Sequence, residues 1–364
     1  MNTFKRRVEE FWKWFTENEE KIHEYIRNSD KYSPNEITEF VGKGVEKVVN
    51  DAYFEIGGKN EFSFSTGGKH YLFYLLPYLV SKIPSNLKYK WIFSPYKLGG
   101  MPGDFGFRNN DSTISINDID VLVGYDVEKN IFYVGFYNEG FNDMEENQAY
   151  SMFLILLDAV IGENIVEMYV GPIDRLKERK GKMIKLSELG NHIEEKLKEN
   201  NRELFRNPSE CYSSYELKPI ENGVLRDDVY VGSTCYFDTI KEYYGNSDES
   251  QTYDSLYACG VKSAFISYEY NIDNPHTELN IRNEILDRIE SEVLGKKDSG
   301  KEIGIILGSA TGLKRFYIDI LLYDEIKFLS SINNILKDYD YQFSYSEFKK
   351  KPYTINFFDE GKLQ

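Results

Sequence analysis

One strongly patterned segment constrains the fold of this chain more than any other. In residues 303–323, apolar side chains alternate with other residues on both sides of Gly308–Gly312, as in the two strands of a β-hairpin. The two glycines also raise the alternative of a phosphate-binding loop. Such a loop needs a helix N-terminus directly after it, and here the pattern of a strand follows. We therefore expect Gly308–Gly312 to be the turn of a hairpin.

The order of predicted elements repeats in the two halves of the chain. In the second half the hairpin is followed by a helix with Asp324 as its N-cap, and then by a strand at Tyr341–Tyr345. In the first half a hairpin at 119–137 precedes a helix at Met144–Ile161 and a strand at Ile165–Val170. This order is typical of α+β proteins, so we expect two domains of the ferredoxin-like type. Their sheets would be antiparallel or mixed, with helices packed on one face.

The length of 364 residues suits two domains. Apolar residues at helical spacing predict a helix over residues 4–28, and Ser33-Pro34-Asn35-Glu36 has the pattern of a capping box that opens a second helix. The segment Arg206-Asn207-Pro208-Ser209 is the expected boundary. The predicted domains are residues 1–207, with a helical segment at 1–50, and residues 208–364.

The charge of the chain bears on its partners. The formal net charge is −16, and both halves are acidic. Nucleic acid and anionic membranes should therefore be repelled, whereas a basic protein would be attracted. The 29 tyrosines and 24 phenylalanines are an unusually high number, and much of this aromatic surface must be buried, but tyrosine also serves recognition surfaces. Alternatively, the acidity serves only to keep an aromatic-rich protein in solution.

The sequence favours a cytoplasmic protein without a metal or cofactor. The charged N-terminus does not resemble a signal peptide, and the longest apolar run, Met152–Ile161, is too short for a membrane span and contains Asp158. Cys211, Cys235 and Cys259 are odd in number, and none has a Cys or His within four residues. Zinc sites usually take two ligands from one short turn, so we expect three reduced thiols and no metal site.

Carboxylates offer one route to catalysis. Glu139 and Asp143 lie in an acidic cluster beside aromatic residues, and Asp319 lies in the middle of a predicted strand. Glycosidases use two carboxyl groups across a sugar, so these three acids are the candidates for a hydrolase. The alternatives are that Asn142 or Asp143 caps a helix whose N-terminal dipole the glutamates stabilise, and that Asp319 lies on a polar face of a sheet.

A glycine-rich loop is the candidate binding site. Residues 97–111 contain four glycines together with apolar and acidic side chains. An exposed aromatic residue flanked by acids would suit a basic, grooved partner. Alternatively, the phenylalanines tuck under the loop and close one end of the first sheet. The candidate binding residues are Met101, Asp104, Phe105, Phe107 and Asp111.

Several segments resemble a known group of sequences. The stretches FSFSTGGKHYLFYLLPYLVSKIPSNLKYKWIFSPY, IDVLVGYDVEKNIFYVGFY and LLDAVIGENIVEMYVG are similar to uncharacterised bacterial domain-of-unknown-function proteins. FWKWFTENEEKI and ILGSATGLKRFYIDILLYDE resemble companion segments in larger proteins of that kind. The resemblance implies, as the nearest functional neighbours, ferredoxin-like protein-binding regulators such as the inhibitors of ribonuclease E, and some proteins of this general kind are suspected immunity proteins. The resemblance brings no catalytic motif and assigns no residue a role.

Two functions are therefore expected from the sequence. The first is a non-catalytic, cytoplasmic protein-binding module, of the immunity type or a regulatory inhibitor of a basic enzyme. The second is a carbohydrate-active or other hydrolase that uses paired carboxylates. The sequence leaves the oligomeric state and the identity of the partner open.

Overall fold

The chain forms two compact units, each built from segments that are distant in sequence. The computed structural model describes residues 2–28, 31–57, 60–109, 112–245, 250–296, 299–350 and 352–357. Unit 1 comprises Met1–Asp51, His70–Leu87 and Ser209–Gln364, and unit 2 comprises Ala52–Lys69 and Lys88–Pro208. The change from unit 2 to unit 1 after Pro208 falls at the expected boundary. The helical segment 1–50, however, groups with the second half of the chain rather than with the first.

The α-helices have the following bounds: α1 Phe4–Arg27, α2 Pro34–Val45, α3 Leu72–Ser81, α4 Ser85–Lys88, α5 Glu139–Asn142, α6 Glu146–Ile161, α7 Glu163–Tyr169, α8 Leu189–Glu199, α9 Phe237–Tyr244, α10 Gln251–Ala258, α11 Pro275–Arg288 and α12 Glu325–Leu336. A π-helical segment, Ile289–Gly295, continues α11.

The strands have the following bounds: β1 Tyr53–Gly57, β2 Glu61–Ser65, β3 Ile92–Ser94, β4 Gly106–Asn109, β5 Ser112–Ser115, β6 Asp120–Asp126, β7 Ile131–Tyr137, β8 Val170–Arg175, β9 Ile184–Lys185, β10 Ser213–Glu216, β11 Val229–Thr234, β12 Lys262–Glu269, β13 Gly304–Gly312, β14 Arg315–Leu322, β15 Phe343–Glu347 and β16 Thr354–Asn356. The mixture of helices and sheets confirms the α+β class.

Local signals fix several helix ends. The side chain of Ser33 accepts a hydrogen bond from the backbone N–H of Glu36, and the Glu36 carboxylate accepts one from the N–H of Ser33, so the predicted capping box is confirmed. Asp324 caps α12 by accepting from the N–H of Lys327. Gly162 ends α6 with φ of 88°, a left-handed conformation that glycine adopts without strain.

Unit 1 is built on an antiparallel sheet with the strand order β10-β11-β13-β14-β12-β15-β16. Its centre follows the chain order strand β12, helix α11, hairpin β13–β14, helix α12, strand β15. One face of the sheet carries Ile266, Ile318 and Ile320, which pack on α11, its π-helical continuation and α12. Apolar residues at every second strand position produce this buried face.

The opposite face of the same sheet is also covered. Phe265 and Tyr317 alternate with the residues of the first face and pack with Ile240 and Tyr243 of α9. The expectation of helices on one face only is therefore wrong for this sheet. The alternating pattern does predict two faces, but it does not reveal that the aromatic second face is buried as well.

The segment Gly308–Gly312 is part of strand β13, so its expected position as the hairpin turn is wrong. The hairpin itself is confirmed, with its turn at Leu313 and Lys314 between β13 and β14. A Cβ atom on Gly308 would lie 2.0 Å from the backbone oxygen of Ser233 in the neighbouring strand. Glycine is thus required here because two backbones approach closely, and not because the chain turns.

Unit 2 contains a mixed sheet with the order β8-β7-β6-β9, in which β7 and β8 are parallel and the other pairs antiparallel. Val121, Val134 and Phe136 point to one face and pack on α6, α7 and α8. The smaller sheets β1-β2-β3 and β4-β5 belong to the same unit. Here the expectation of helices on one face agrees with the packing of the core.

The expected strand Ile165–Val170 is wrong, because residues 163–169 form helix α7 and the strand β8 begins only at Val170. Ile165 and Tyr169 are four residues apart and both enter the core, as helical spacing requires. A short apolar run fits either a strand or a buried helix turn, so periodicity alone could not decide.

Candidate functional site

The glycine-rich loop is held firmly at the end of helix α6. The N–H groups of Gly100 and Met101 donate to the backbone oxygens of Val160 and Ala159, both at 2.9 Å. The last carbonyl groups of a helix have no partner within the helix, and the loop supplies two donors to them. A Cβ atom on Gly99 would lie 2.5 Å from the backbone carbon of Ile161, so only glycine allows this approach. The loop is therefore attached to the end of α6 through its backbone.

The loop presents three apolar side chains to solvent. Leu98 is 60% exposed, Met101 49% and Phe105 37%, and we call these three residues the loop patch. Asp104 is exposed beside them. Phe107 is not exposed with them: it is half-buried and packs on the core of unit 2, as the alternative of a phenylalanine tucked under the loop predicted. Asp111 lies outside the described residues.

A buried carboxylate ties the loop to the rest of unit 2. Glu163 accepts hydrogen bonds from the Ser65 hydroxyl at 3.0 Å, and from the Thr66 N–H at 2.9 Å and hydroxyl at 2.7 Å. Its second oxygen accepts from the N–H of Lys97 at 3.3 Å. A buried charge is tolerated when several donors surround it, as they do here. Glu163 thus joins the end of β2, the start of the loop and helix α7.

Asp158 is the acid with the strongest sign of functional chemistry in unit 2. Burial raises the pKa of its carboxyl group to about 7, and the neighbouring carboxylates of Glu163 and Glu55 act in the same direction, while Lys97 opposes them. A group with this pKa can give or take a proton near neutrality. The sequence offered one signal for it, namely an acid inside the apolar run Met152–Ile161.

The acids expected from the sequence do not form one site. Glu139 begins α5 and Asp143 follows its end, and both are exposed on the surface of unit 2. Asp319 belongs to unit 1, where it is 1% exposed. Its expected place on a polar sheet face is wrong, because the side chain is enclosed in the second core of the sheet.

Asp319 forms a buried ion pair with Arg226. Arg226 has no exposed surface, and its Nη1 and Nη2 atoms both donate to the Asp319 carboxylate, the latter at 3.3 Å. Nη2 also donates to the hydroxyl of Tyr215 at 3.1 Å. The guanidinium lies 4.4 Å from the ring centroid of Phe348 and 5.2 Å from that of Tyr317. Burial alone would lower the pKa of Arg226, but attraction by Asp319 holds it above its ordinary value.

The backbone of Arg226 is as strongly constrained as its side chain. Its φ is 69°, a left-handed conformation that costs about 1–2 kcal/mol for a residue other than glycine. The Arg226 N–H donates to the Tyr317 hydroxyl at 2.9 Å, which in turn donates to Asp228 at 2.5 Å. The Arg226 oxygen accepts from Tyr244 at 2.9 Å. This network is enclosed by protein on all sides, so we interpret it as structural.

Thiols and metal ligands offer no further site in the described part of the chain. Cys235 and Cys259 are buried and Cys211 is half-buried. Burial raises the pKa of Cys235 to about 12 and that of Cys259 to about 11, so neither is a reactive thiolate. Among the described residues, His, Cys, Asp and Glu do not gather in any group of three or more that could hold a metal ion.

Within the same described ranges, each helix taken singly is too short or too polar to cross a membrane. Helices α6 and α7 together have the length and composition of a membrane span, but they are bent by 105° at the break between them.

Comparison with known family profiles, curated proteins and solved structures yields no match to this chain. The resemblance to bacterial domain-of-unknown-function proteins therefore stays a prediction.

Proposed function

We propose that this chain is a non-catalytic, cytoplasmic protein-binding module, of the immunity type or a regulatory inhibitor, whose partner is a basic protein. The observation that carries the proposal is the loop patch. Leu98, Met101 and Phe105 stand exposed on a loop that is anchored to helix α6 by backbone hydrogen bonds. A loop whose backbone is already hydrogen-bonded needs little further ordering on binding, which makes its apolar side chains good anchors.

The charges support a basic partner. Asp104 lies exposed beside Phe105, and the chain as a whole carries a net charge of −16. Opposite charge on the partner would raise the association rate, most strongly at low ionic strength. The apolar anchors would then provide the stability of the complex, with acids at the rim.

The ferredoxin-like fold expected for the second half belongs to the same proposal. The chain order strand, helix, hairpin, helix, strand from β12 to β15, with the sheet order β13-β14-β12-β15, supports it. Helices α11 and α12 pack together on one face of these four strands, as that fold requires. Protein-binding regulators with this fold are among the neighbours implied by the sequence resemblance.

Phe105→Ala tests the proposal against a matched control. Tyr133 is also an aromatic residue of unit 2 that is 37% exposed, but it lies on strand β7 outside the loop patch. A protein captured at low salt would be purified and its affinity measured by calorimetry at two salt concentrations. Phe105→Ala should weaken binding by about 2 kcal/mol or more, as for an anchor residue. Tyr133→Ala should leave the affinity unchanged.

The melting temperature distinguishes binding from folding. If Phe105 is an anchor, its replacement should leave the melting temperature within about a degree, since a half-exposed side chain contributes little to the core. Equal affinity of both variants for the captured protein, or binding that does not weaken with salt, would contradict the proposal.

A hydrolase is the second candidate, and one observation favours it. Asp158 has a pKa raised to about 7 beside Glu163, and two carboxyl groups in different environments are the usual arrangement for acid–base catalysis. This pair replaces Glu139, Asp143 and Asp319 as the candidate acids. Hydrolysis of chromogenic glycosides that disappears in Asp158→Asn would support a glycosidase, and no hydrolysis of any of these glycosides by the wild type would refute one.

A further inference from the structure

A small cavity in unit 1 is lined by Ser263, a buried serine. The cavity has a volume of about 10 Å³ and lies between helices α9 and α10 and strand β12. Ser263 lines it and is 1% exposed, and its hydroxyl finds no hydrogen-bond partner among the residues that the structure describes. A buried hydroxyl without a hydrogen-bond partner costs free energy of folding. A ligand group that fills the cavity and forms a hydrogen bond with this hydroxyl would therefore bind favourably.

A larger open depression adjoins this cavity. Its volume is about 800 Å³, and it shares Ser250 and Lys349 with the inner cavity. This size suits a ligand of one or two sugar rings, since small-molecule sites commonly enclose about 300–1,000 Å³. The inner cavity by contrast holds about one non-hydrogen atom, such as the oxygen of a water or of a hydroxyl group.

The lining determines the class of ligand. Most of its side chains are amides, hydroxyls and carboxylates, among them Asn50, Gln251, Asp254 and Ser255. Such groups offer both donors and acceptors, which match the hydroxyl groups of a polyol. Few apolar side chains are present, so an apolar ligand would lose its hydration without gaining contacts.

Charge argues against an anion. Asp51 and Asp254 line the outer depression and Glu242 lines the inner cavity. The lining also holds two lysines. The ammonium group of Lys349 is engaged by the Glu347 carboxylate at 2.8 Å, and that of Lys350 donates to the backbone oxygen of Gly245 at 2.6 Å. A phosphate or carboxylate ligand would therefore meet three carboxylates against two ammonium groups that already have partners, whereas a neutral ligand meets no net repulsion.

We infer that this depression is a binding site for a neutral, polyhydroxylated ligand of the sugar class, which inserts one hydroxyl group into the inner cavity to bond with Ser263. The site lies in unit 1, whereas the loop patch lies in unit 2. Its occupation does not depend on the proposed protein partner, and the two proposals can fail independently.

Saturation-transfer NMR on the full chain tests the inference. The probes are glucose, galactose, mannose, N-acetylglucosamine and their common disaccharides at millimolar concentration. Inorganic phosphate is the charged comparison, and because it has no carbon-bound protons its binding is followed by broadening of its phosphorus-31 signal. At least one sugar should bind, and phosphate should not. Ser263→Ala should weaken that sugar roughly 5- to 10-fold, the value of one hydrogen bond. Because the Ser263 hydroxyl has no partner to lose within the described ranges, the variant should melt at the wild-type temperature or above.

Two further variants make the result decisive. Ser267→Ala is the matched control, since Ser267 lies on the same strand, is equally buried and bonds to Ser344 at 2.8 Å instead. It should leave sugar binding unchanged. Asp254→Ala changes an exposed residue of the outer depression and should weaken binding without unfolding the chain.

Three results would overturn the inference. The first is no saturation transfer from the wild type to any sugar, which would leave the inner cavity to a single water molecule. The second is phosphate binding in place of sugar. The third is a sugar affinity that Ser263→Ala and Asp254→Ala leave unchanged.

Discussion

Removing the charge of Asp319 should destabilise unit 1 severely. In Asp319→Asn the shape of the side chain is kept, but the guanidinium of Arg226 is left buried without a counter-charge. Both side chains are essentially inaccessible, at 0% and 1% exposed. The cost of such a change is large because water cannot replace the lost partner.

Two arguments give a similar magnitude. The Nη2 and Oδ2 atoms lie 3.3 Å apart, which corresponds to about 5 kcal/mol of attraction at an effective dielectric constant of about 20. Removal of one partner from a buried ion pair typically costs about 3–5 kcal/mol. The hydrogen bond to Tyr215 and the contacts with the surrounding rings remain in the variant. We therefore expect the free energy of unfolding to fall by about 3–5 kcal/mol.

Urea unfolding followed by tryptophan fluorescence measures this change. Trp12 and Trp14 belong to unit 1 and Trp91 to unit 2, so a Trp91→Phe background reports unit 1 alone. The matched control is Glu269→Gln, which breaks an exposed pair with Arg315 on the neighbouring strands of the same sheet. That change should cost less than about 1 kcal/mol, because exposed ion pairs contribute little.

A double-mutant cycle completes the test. Arg226→Met alone should also destabilise unit 1, because it leaves the Asp319 carboxylate unpaired. The double variant should be more stable than the sum of the two single changes predicts, since neither charge is then buried alone. A loss below about 1 kcal/mol in Asp319→Asn, or additive effects in the cycle, would refute the interpretation of a coupled buried pair.

Two further predictions concern single side chains. Asp158 keeps its proton in the folded state up to about pH 7 but loses it near pH 4 when unfolded. The free energy of unfolding should therefore fall as the pH rises between these two values. The melting temperature of Asp158→Asn should lack this fall and should match that of the wild type at low pH. Gly308→Ala should cost about 2 kcal/mol or more in urea unfolding because its Cβ would overlap the oxygen of Ser233. Gly124→Ala, with 3.8 Å of space at its Cβ, is the control and should not destabilise. Equal stability of the two alanine variants would contradict the steric argument.

Elements with strong local signals were predictable from the sequence. The helix α1, the capping box of α2, the cap of α12 and the glycine that ends α6 all follow from side chains close in sequence. The hairpin β13–β14 was predictable for the same reason. Such signals act within a few residues, so they remain visible without knowledge of the fold.

The candidate site was predictable only in part. The glycine-rich loop was identified as a whole, and Met101 and Phe105 are exposed on it as the binding hypothesis requires. Phe107 packs inward, and its neighbours do not distinguish it from Phe105. Asp158 gains its high pKa from burial and from Glu163, and the extent of that burial depends on segments far away in the sequence.

The sequence by itself determined where most helices and strands form, the α+β class and the acidic character of the surface. Only the tertiary structure decided that residues 1–51 group with the second half, that the close approach of a neighbouring strand requires glycine at position 308, and that Arg226 pairs with Asp319. The reason is the same in each case. Local hydrogen bonds and apolar periodicity are encoded by adjacent residues, whereas close backbone approach and buried charge depend on partners that meet only after the chain has folded.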